Sequence, residues 1–286
     1  MIDLIIQGED IASADLRALH GVVSANGIER IPHVAHQAFR FSAVNDSADV
    51  RALVKARCDA AQLDFAFVAS GLQLADVGLL AMDMDSTLIT IECIDEIADF
   101  VGKKAEVSAV TARAMRGEVD WPESLRLRVA LLAGLDEAAL EQVYTQRLKL
   151  SPGAATLIAA ANKAGIKTLL VSGGFTFFTE RLKARLGLDF AFANTLEVVD
   201  GRLTGRVLGA LCDAHAKAFH VRTIAAKFGL EKTQIIAIGD GANDLPMMAE
   251  AGLSVAYHAK PVVQMEASVA INWLGLDGVL GLFQTR

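Results

Sequence analysis

Residues 77–87 read Val-Gly-Leu-Leu-Ala-Met-Asp-Met-Asp-Ser-Thr, an apolar run that passes directly into two aspartates, Asp83 and Asp85. This run predicts a buried strand with polar residues beyond its carboxyl end. Two later apolar runs also end in polar residues: 168–171 before Ser172, and 235–238 before Asp240. Because strand and helix patterns alternate from residue 76 onward, we predict a Rossmann-like parallel sheet with these polar ends at one edge.

The composition predicts a globular chain of more than one domain. The chain has 286 residues, of which 53% are hydrophobic, and domains average ~150 residues. It carries 27 basic and 34 acidic residues, a net charge of −7. This balance argues against nucleic acid or an anionic membrane as a partner. An anionic substrate therefore needs a local cation or a metal.

Cysteine usage and the apolar segments predict a cytoplasmic location. Cys58, Cys93 and Cys212 are odd in number and far apart, so they form neither a disulfide framework nor a zinc motif. The first ten residues contain acids and no basic stretch, unlike a secretory signal. Polar residues and glycines interrupt the apolar segment 268–283, so we expect no membrane span.

Residues 1–72 predict a small α+β domain with the element order β-α-β-β-α-β. The order is that of a ferredoxin-like fold, and the pattern resembles the ACT-like domain, a regulatory or dimerising module. A stabilising appendage is the alternative. The predicted elements are a strand at 4–6, a helix at 14–25 stopped by Gly27, strands at 28–35 and 38–44, a helix that Asp46 or Ser47 caps and that ends near residue 60, and a strand at 64–68.

The segment 93–150 is too long for a simple crossover between the first two strands of the parallel sheet and is strongly helical. We predict that it forms an inserted helical cap over the polar edge. Asp120, with Pro122 and Glu123 behind it, resembles a helix start. The predicted fold is therefore α/β, with this cap inserted into a second domain at 76–286.

The pair Asp83 and Asp85 predicts metal or nucleophilic chemistry. Two carboxylates this close repel each other unless a cation holds them or they take different roles. Mg²⁺ suits them because it binds one or two carboxylates and leaves room for phosphate oxygens, and an aspartate can also serve as a nucleophile. Two solvated loop acids are the alternative for an isolated Asp-x-Asp pair.

Three further features point to a phosphate group at the same edge. Ser172-Gly173-Gly174 precedes a helix predicted at 176–186, where backbone N–H groups can approach an anion; a simple strand-to-helix turn is the alternative. Residues 239–244, Gly-Asp-Gly-Ala-Asn-Asp, place acids where a dinucleotide loop has glycine, which favours a metal. A site this negative also needs a basic side chain, and Lys217 is a candidate.

These motifs, in this order, resemble those of the haloacid dehalogenase superfamily over about residues 76–286. Within it the chain resembles the phosphoserine phosphatase family, and the extended matches are Asp85-Ser86-Thr87-Leu88, Glu92 with 95–97, 124–129, and 191–194. The resemblance implies Asp83 as nucleophile, Asp85 as general acid and then base, and Mg²⁺ held by Asp83, Asp240 and the backbone carbonyl of Asp85. It further implies that Ser172, Gly173 and Lys217 hold the phosphoryl group, that Asn243 contacts substrate, and that Asp244 orients Lys217 or water.

Phosphoserine also carries an ammonium and a carboxylate. Glu92 can pair with the ammonium, and an arginine fork can bind the carboxylate. Arg126 and Arg128 lie two apart on a helix, so only one should face the site, and the family pattern selects Arg128. Met115 and Trp121 are expected to form an apolar lid or ordinary cap core.

Two other interpretations stay open. One is a related enzyme acting on another phosphorylated amino acid or small phosphomonoester, although Glu92 and Arg128 disfavour sugar phosphates. The other is a non-enzymatic amino-acid sensor built on residues 1–72, against which the intact motifs argue. The resemblance also allows a homodimer.

Overall fold

The computed structural model describes residues 1–284, whose strands join into an eleven-stranded sheet. In chain order the strands are β1 (Ile2–Gly8), β2 (Gly27–Arg30), β3 (Gln37–Ser42), β4 (Asp64–Ala69), β5 (Leu79–Met82), β6 (Lys167–Phe175), β7 (Phe190–Val199), β8 (Arg202–Leu208), β9 (Ile235–Gly239), β10 (Leu253–Tyr257) and β11 (Val269–Ile271). Across the sheet their order is β2-β3-β1-β4-β11-β10-β9-β5-β6-β7-β8.

Adjacent strands from β11 through β10, β9, β5 and β6 to β7 are parallel. Alternate residues of β5 enter two separate apolar clusters, Leu80 and Met82 on one face and Leu79 and Ala81 on the other. The helices that follow these strands are α7 (Ala154–Lys163), α8 (Thr176–Leu186), α9 (Ala214–Phe228), α10 (Leu245–Met248) and α11 (Pro261–Glu266). Helices α7 and α8 contribute to the first cluster, and α9 and α10 to the second. The predicted α/β class with a mostly parallel core is confirmed.

Five α-helices lie between β5 and β6: α7 directly precedes β6, and before it come α3 (Cys93–Phe100), α4 (Lys104–Met115), α5 (Trp121–Ala130) and α6 (Ala138–Gln146). The side chain of Asp120 accepts a hydrogen bond of 2.8 Å from Glu123 N and so caps α5, as the sequence predicts. None of the helices described over residues 1–284 has the length and apolar character needed to cross a bilayer.

Residues 2–69 contain four strands and two helices, α1 (Ser13–Val23) and α2 (Ala48–Ala61). In this part of the sheet, β1 lies between β3 and β4 and is antiparallel to both. The predicted helix stop at Gly27 is wrong. Helix α1 ends at Val23, where Ser24 adopts a left-handed conformation and donates its N–H to His20 O, and Gly27 instead begins β2.

The N-terminal and C-terminal parts of the chain meet in the middle of the sheet. Strand β4 pairs antiparallel with β11 through Phe65 and Ala270. Nearby, the buried Arg40 donates to Asp3 Oδ2 at 3.2 Å and to Leu282 O at 3.1 Å. Residues 2–69 are therefore bonded directly to the end of the described chain.

The antiparallel hairpin of β7 and β8 has no counterpart among the elements predicted from the sequence. Its turn is Asp200-Gly201, and both residues have positive φ, 50° and 72°. An Asp-Gly pair between alternating segments is a hairpin signal, because both central residues of the tight turn need positive φ. That signal was present in the sequence.

Candidate active site

The turn after β5 fixes the two aspartates of the first motif. Asp83 N donates to Ile238 O of β9 at 3.0 Å, which ties the end of β5 to its neighbour. Two residues later, Asp85 Oδ1 accepts a 3.0 Å hydrogen bond from the backbone N–H of Cys93, where α3 begins. Both aspartates border the same cavity, as their spacing predicts.

Lys217 of α9 is fully buried between two carboxylates. Its Nζ lies 2.7 Å from Asp83 Oδ1 and 2.7 Å from Asp244 Oδ1. Burial alone would lower the pKa of Lys217, but the charges of Asp83 and Asp244 outweigh it and raise that pKa. Burial and the charge of Asp244 raise the pKa of Asp83 well above its ordinary value, because one ammonium cannot neutralise two buried carboxylates. With both carboxylates ionised, the trio carries one excess negative charge.

The loop after β9 brings a third carboxylate to this trio. Asp244 Oδ2 accepts from the N–H groups of Asp240 at 3.1 Å and Gly241 at 3.0 Å, while Asp240 Oδ1 accepts from Thr87 Oγ1 at 3.0 Å. Burial and the charge of Asp244 raise the pKa of Asp240 to about 6. Carboxylate oxygens of Asp83, Asp240 and Asp244 lie within 4.8 Å of one another. An excess of buried negative charge with oxygen donors suits a divalent cation.

The second motif lies within a strand rather than beyond its end. Strand β6 continues to Phe175, with an irregular register between Val171 and Phe175, so the predicted strand end at Val171 is wrong. Ser172 Oγ accepts from Gly174 N at 2.8 Å, and Asn194 Nδ2 donates to Gly173 O at 2.8 Å. The hydrogen bond from Asn194 of β7 and the bond between Ser172 and Gly174 fix this segment. The strand thus continues past its predicted end.

Glycine is required here by close approach of other groups. A Cβ at Gly173 would lie 2.8 Å from the Trp121 ring, and one at Gly174 would lie 2.6 Å from Asp85 Oδ2. Trp121, the first residue of α5, therefore packs against Gly173 in the predicted phosphate-binding segment Ser172-Gly173-Gly174. This contact makes the inserted helices part of the site.

A cavity of about 490 Å³ opens above these residues. The predicted site residues that border it are Asp83, Asp85, Glu92, Arg128, Ser172, Gly173, Asp240 and Asn243. Lys217 and Asp244 lie outside this lining. Lys217 contacts the lining residue Asp83, and Asp244 accepts a hydrogen bond from Gly241 N in the 239–244 loop. Met115 and Trp121 also border the cavity, although Met115 is 77% exposed. Four other polar residues that line the cavity had no role predicted from the sequence: Asp95, Thr111, Ser124 and Lys260.

Of the two candidate arginines, Arg128 borders the cavity, whereas Arg126 is exposed and lies outside its lining. The helical spacing predicts that only one of the two faces the site, and the family pattern selects Arg128. Burial lowers the pKa of Arg128, and the charges of Asp95 and Glu92 oppose that change. Glu92 Oε1 accepts from Ser86 Oγ at 2.8 Å, and burial raises the pKa of Glu92.

Asp85 has the pKa of a group that can exchange protons near neutrality. Burial and the charge of Glu92 raise this pKa to about 7, and the hydrogen bond from Cys93 N opposes the rise. A buried carboxyl of this kind can donate a proton and later accept one.

Comparison with known families identifies the class to which this site belongs. Residues 80–249 match the family model of the haloacid dehalogenase-like hydrolases, and residues 4–53 match a domain of unknown function, DUF4072. The first match covers more than half of the chain. The chain belongs to the haloacid dehalogenase-like hydrolase family.

Relatives within this family are phosphoserine phosphatases. The chain is 57% identical over 216 residues to the phosphoserine phosphatase of Polaromonas sp., covering 74% of this chain and 92% of the relative. The unliganded crystal structure of a probable phosphoserine phosphatase from Vibrio cholerae superimposes with a TM-score of 0.83 at 39% identity, covering 98% of this chain and 85% of that one. A HAD family hydrolase from Salmonella enterica serovar Typhi gives 0.90 at 32% identity, with both chains covered completely.

Proposed function

We propose that the protein is a phosphoserine phosphatase, which hydrolyses O-phospho-L-serine to L-serine and phosphate in the last step of serine biosynthesis. The observation that carries the proposal is the buried Lys217 between Asp83 and Asp244, beneath a cavity bordered by both Glu92 and Arg128. A phosphorylated amino acid has an anionic phosphate, an ammonium and a carboxylate, which these groups complement. Similarity to the Polaromonas and Vibrio proteins supports the same activity.

The metal that fits this site is Mg²⁺. Asp83 and Asp240 would hold it, with the backbone carbonyl of Asp85, and Asp244 belongs to the same carboxylate group. The excess negative charge around Lys217 is the feature that a divalent cation offsets. When bound, Mg²⁺ supplies positive charge that stabilises the phosphoryl oxygens.

The proposed reaction has two steps. A carboxylate oxygen of Asp83 attacks phosphorus and displaces the serine oxygen, which receives the proton of Asp85, so that an aspartyl-phosphate forms. Asp85 then takes a proton from water, and the resulting hydroxide attacks phosphorus, which releases phosphate and restores Asp83. The raised pKa of Asp85, about 7, suits both proton transfers.

The other predicted residues would bind the substrate. Ser172, Gly173 and Lys217 would hold the phosphoryl group, and Asn243 would contact the substrate from the β9 loop. Asp244 would orient Lys217, which it contacts at 2.7 Å. Glu92 would pair with the ammonium and Arg128 with the carboxylate, while Trp121 and Met115 would limit access of water to the aspartyl-phosphate.

Phosphate release from a panel of phosphomonoesters, with Mg²⁺ and with a chelator, tests the proposal. Phosphoserine should have the highest kcat/KM, and the chelator should abolish turnover. A higher kcat/KM for a sugar phosphate than for phosphoserine would overturn the assignment of substrate. A panel led by phosphothreonine would favour the second candidate, a phosphatase for another phosphorylated amino acid, which the same Glu92 and Arg128 could bind.

We also propose that residues 1–72 form a ferredoxin-like, ACT-like domain and that residues 76–286 form the catalytic domain, with a helical cap at 93–150. The β-α-β-β-α-β order and the strand order β2-β3-β1-β4 support the first part, and α3 to α6 support the cap. A cytoplasmic homodimer is part of this proposal, and three free cysteines suit a reducing compartment. Sedimentation will test the dimer. Inhibition by serine that is not competitive with phosphoserine would support regulation, and purely competitive inhibition would contradict it.

A further inference from the structure

One more cation, Lys260, borders the active-site cavity in the segment between β10 and α11. Its neighbours in the cavity wall include Asp240 and Glu92. Among the described residues that line the cavity, five carboxylates face only two cations: Asp83, Asp85, Glu92, Asp95 and Asp240 against Arg128 and Lys260. An anionic substrate therefore enters a negative cavity in which each cation matters.

Of the two cations that line the cavity, Lys260 is the one to which no role has yet been given. Lys217 is already paired with Asp83 and Asp244, and Arg128 is the residue proposed above to bind the substrate carboxylate. Over residues 1–284, Lys260 is exposed and makes no ion pair within 4.0 Å. Its charge does act in the cavity, because burial raises the pKa of Glu92 and the Lys260 ammonium opposes that rise.

The backbone around Lys260 is fixed on two sides. Lys260 N donates to Asp240 O at 3.2 Å, which joins it to the loop of the metal-site carboxylates. On the other side, the ring of His258 donates from Nε2 to Leu274 O at 3.0 Å. Lys260 is thus held at the cavity by the chain that follows β11.

That following chain is fastened to the N-terminal part of the protein by one buried carboxylate. Asp64, the first residue of β4, accepts the backbone N–H groups of three consecutive residues, Asn272 at 2.6 Å, Trp273 at 3.2 Å and Leu274 at 2.9 Å. A path of hydrogen bonds therefore runs from Asp64 through Leu274 and His258 to the Lys260 segment.

We propose that Lys260 is a further substrate-binding residue, which pairs with the anionic groups of the phosphomonoester at the cavity mouth, and that Asp64 positions the segment that carries it. The proposal rests on the proposed function for the identity of the substrate, but it applies to any anionic phosphomonoester. It gives residues 1–72 a role in the site that requires no regulatory ligand.

Steady-state kinetics of Lys260→Met, Lys260→Arg and the control Lys163→Met test the first part. Lys163 is an exposed lysine in the last turn of α7, outside the cavity lining. In Lys260→Met we expect KM for phosphoserine and p-nitrophenyl phosphate to rise about twofold to fivefold with little change in kcat, and the rise to shrink at high salt. Lys260→Arg and Lys163→Met should resemble the wild type.

An unchanged KM in Lys260→Met at low salt, or a loss confined to kcat, would overturn the role of Lys260. Failure of the proposed function looks different, because the wild type would then prefer p-nitrophenyl phosphate to phosphoserine. The KM for p-nitrophenyl phosphate still reports on Lys260 in that case.

A double-mutant cycle tests the role of Asp64. Asp64→Asn should raise KM more than it changes kcat, and Lys260→Met should have a smaller effect in that background than in the wild type, because the backbone that carries Lys260 is no longer fixed beside the cavity. If Asp64 serves stability alone, Tm falls and the effect of Lys260→Met stays the same. Should Asp64→Asn fail to fold, His258→Ala removes the next bond of the path at an exposed residue, and the same cycle decides the question.

Discussion

Burial of charge sets the chemistry of individual side chains in this protein. Lys217 lies 2.7 Å from both Asp83 and Asp244, so two buried carboxylates share one ammonium, and burial and the charge of Asp244 raise the pKa of Asp83. Asp85, two residues later, accepts a hydrogen bond from Cys93 N, and burial and the charge of Glu92 raise its pKa to about 7. The two aspartates of one motif thus acquire different environments, and different environments allow a nucleophile and a proton donor to stand side by side.

Asp83→Asn should abolish turnover without unfolding the protein. The amide cannot form the aspartyl-phosphate, so we expect kcat for phosphoserine to fall at least about a thousandfold. Removing one of two carboxylates that share one ammonium also relieves the excess charge, so the Tm of the metal-free protein should not fall. Phosphate release and thermal unfolding measure the two effects. Substantial Mg²⁺-dependent turnover in the variant would refute the nucleophile assignment.

Arg128→Ala and Arg126→Ala form a matched pair on one helix. Loss of the cavity-lining Arg128 should raise KM for phosphoserine by about tenfold to a hundredfold, as expected for a charge-assisted hydrogen bond of ~1.5–3 kcal/mol. KM for p-nitrophenyl phosphate, which has no carboxylate, should hardly change. Arg126→Ala should leave both constants as in the wild type. Equal losses for both substrates in Arg128→Ala would contradict a carboxylate contact.

Single elements of the fold bring distant residues together through close backbone approach. Strand β6 continues past Val171 with an irregular register, and this carries Gly173 under Trp121 and Gly174 against Asp85. The strand, the β5 turn and the start of α5 are therefore packed against one another without space for a methyl group.

Gly174→Ala should impair catalysis, because its Cβ would lie 2.6 Å from Asp85 Oδ2 and displace the proton donor. We expect kcat to fall at least about tenfold, since misplacement of reacting groups by ~1 Å can reduce rates about a hundredfold. Gly21→Ala is the control. Nothing lies within 4 Å of a Cβ at this position in α1, so that variant should keep full activity and gain about 0.4–1 kcal/mol in free energy of unfolding. Wild-type kinetics in Gly174→Ala would show that the β6 segment tolerates displacement.

The sequence predicted those parts of the structure that local patterns determine. Helix α8 was predicted at 176–186 and spans Thr176–Leu186. The end of β6 and the stop of α1 were not found, because the first depends on bonds from Asn194 in β7 and the second on Ser24 in a conformation that favours glycine. Lys260 could not be found either, since a lone lysine has no pattern and only the folded sheet brings it to the cavity.

The N-terminal and C-terminal parts of the chain are joined near a buried ion pair as well as through the sheet. Arg40 and Asp3 are both nearly inaccessible to solvent, and Arg40 also donates to Leu282 O. Burial alone would raise the pKa of Asp3, but hydrogen bonds from Ala43 N and Ser70 Oγ and the charge of Arg40 lower it overall. The pair therefore stabilises the folded chain only while Asp3 is ionised.

Asp3→Asn should destabilise the protein strongly near neutral pH. It removes the buried carboxylate partner of Arg40 and leaves the exposed Glu29, 3.7 Å away, so we expect a loss approaching the ~3–5 kcal/mol of a broken buried pair. Since the folded pKa of Asp3 lies below its ordinary value of 3.8, the stabilisation is present above that value and is lost as the pH falls through the folded pKa. The difference in free energy of unfolding between wild type and variant should thus be constant near neutrality and shrink in acid.

Denaturant titrations at several pH values measure this difference. Asp46→Asn is the control, because Asp46 pairs with Arg51 on the surface, and we expect a loss of less than ~1 kcal/mol. A difference between wild type and Asp3→Asn that grows in acid would contradict the assigned role of the ion pair.

The antiparallel contact of β4 with β11 also covers what would otherwise be an edge strand of the parallel sheet. Without residues 1–72, the main-chain groups of Val269–Ile271 would form an uncovered border of the sheet, and such borders recruit strands from neighbouring molecules. With β4 in place, this edge of the sheet is instead β2, which is four residues long and carries Glu29 and Arg30. The opposite edge is β8, the outer strand of a hairpin. Deletion of residues 1–72 would therefore expose β11 as an edge strand prone to aggregation.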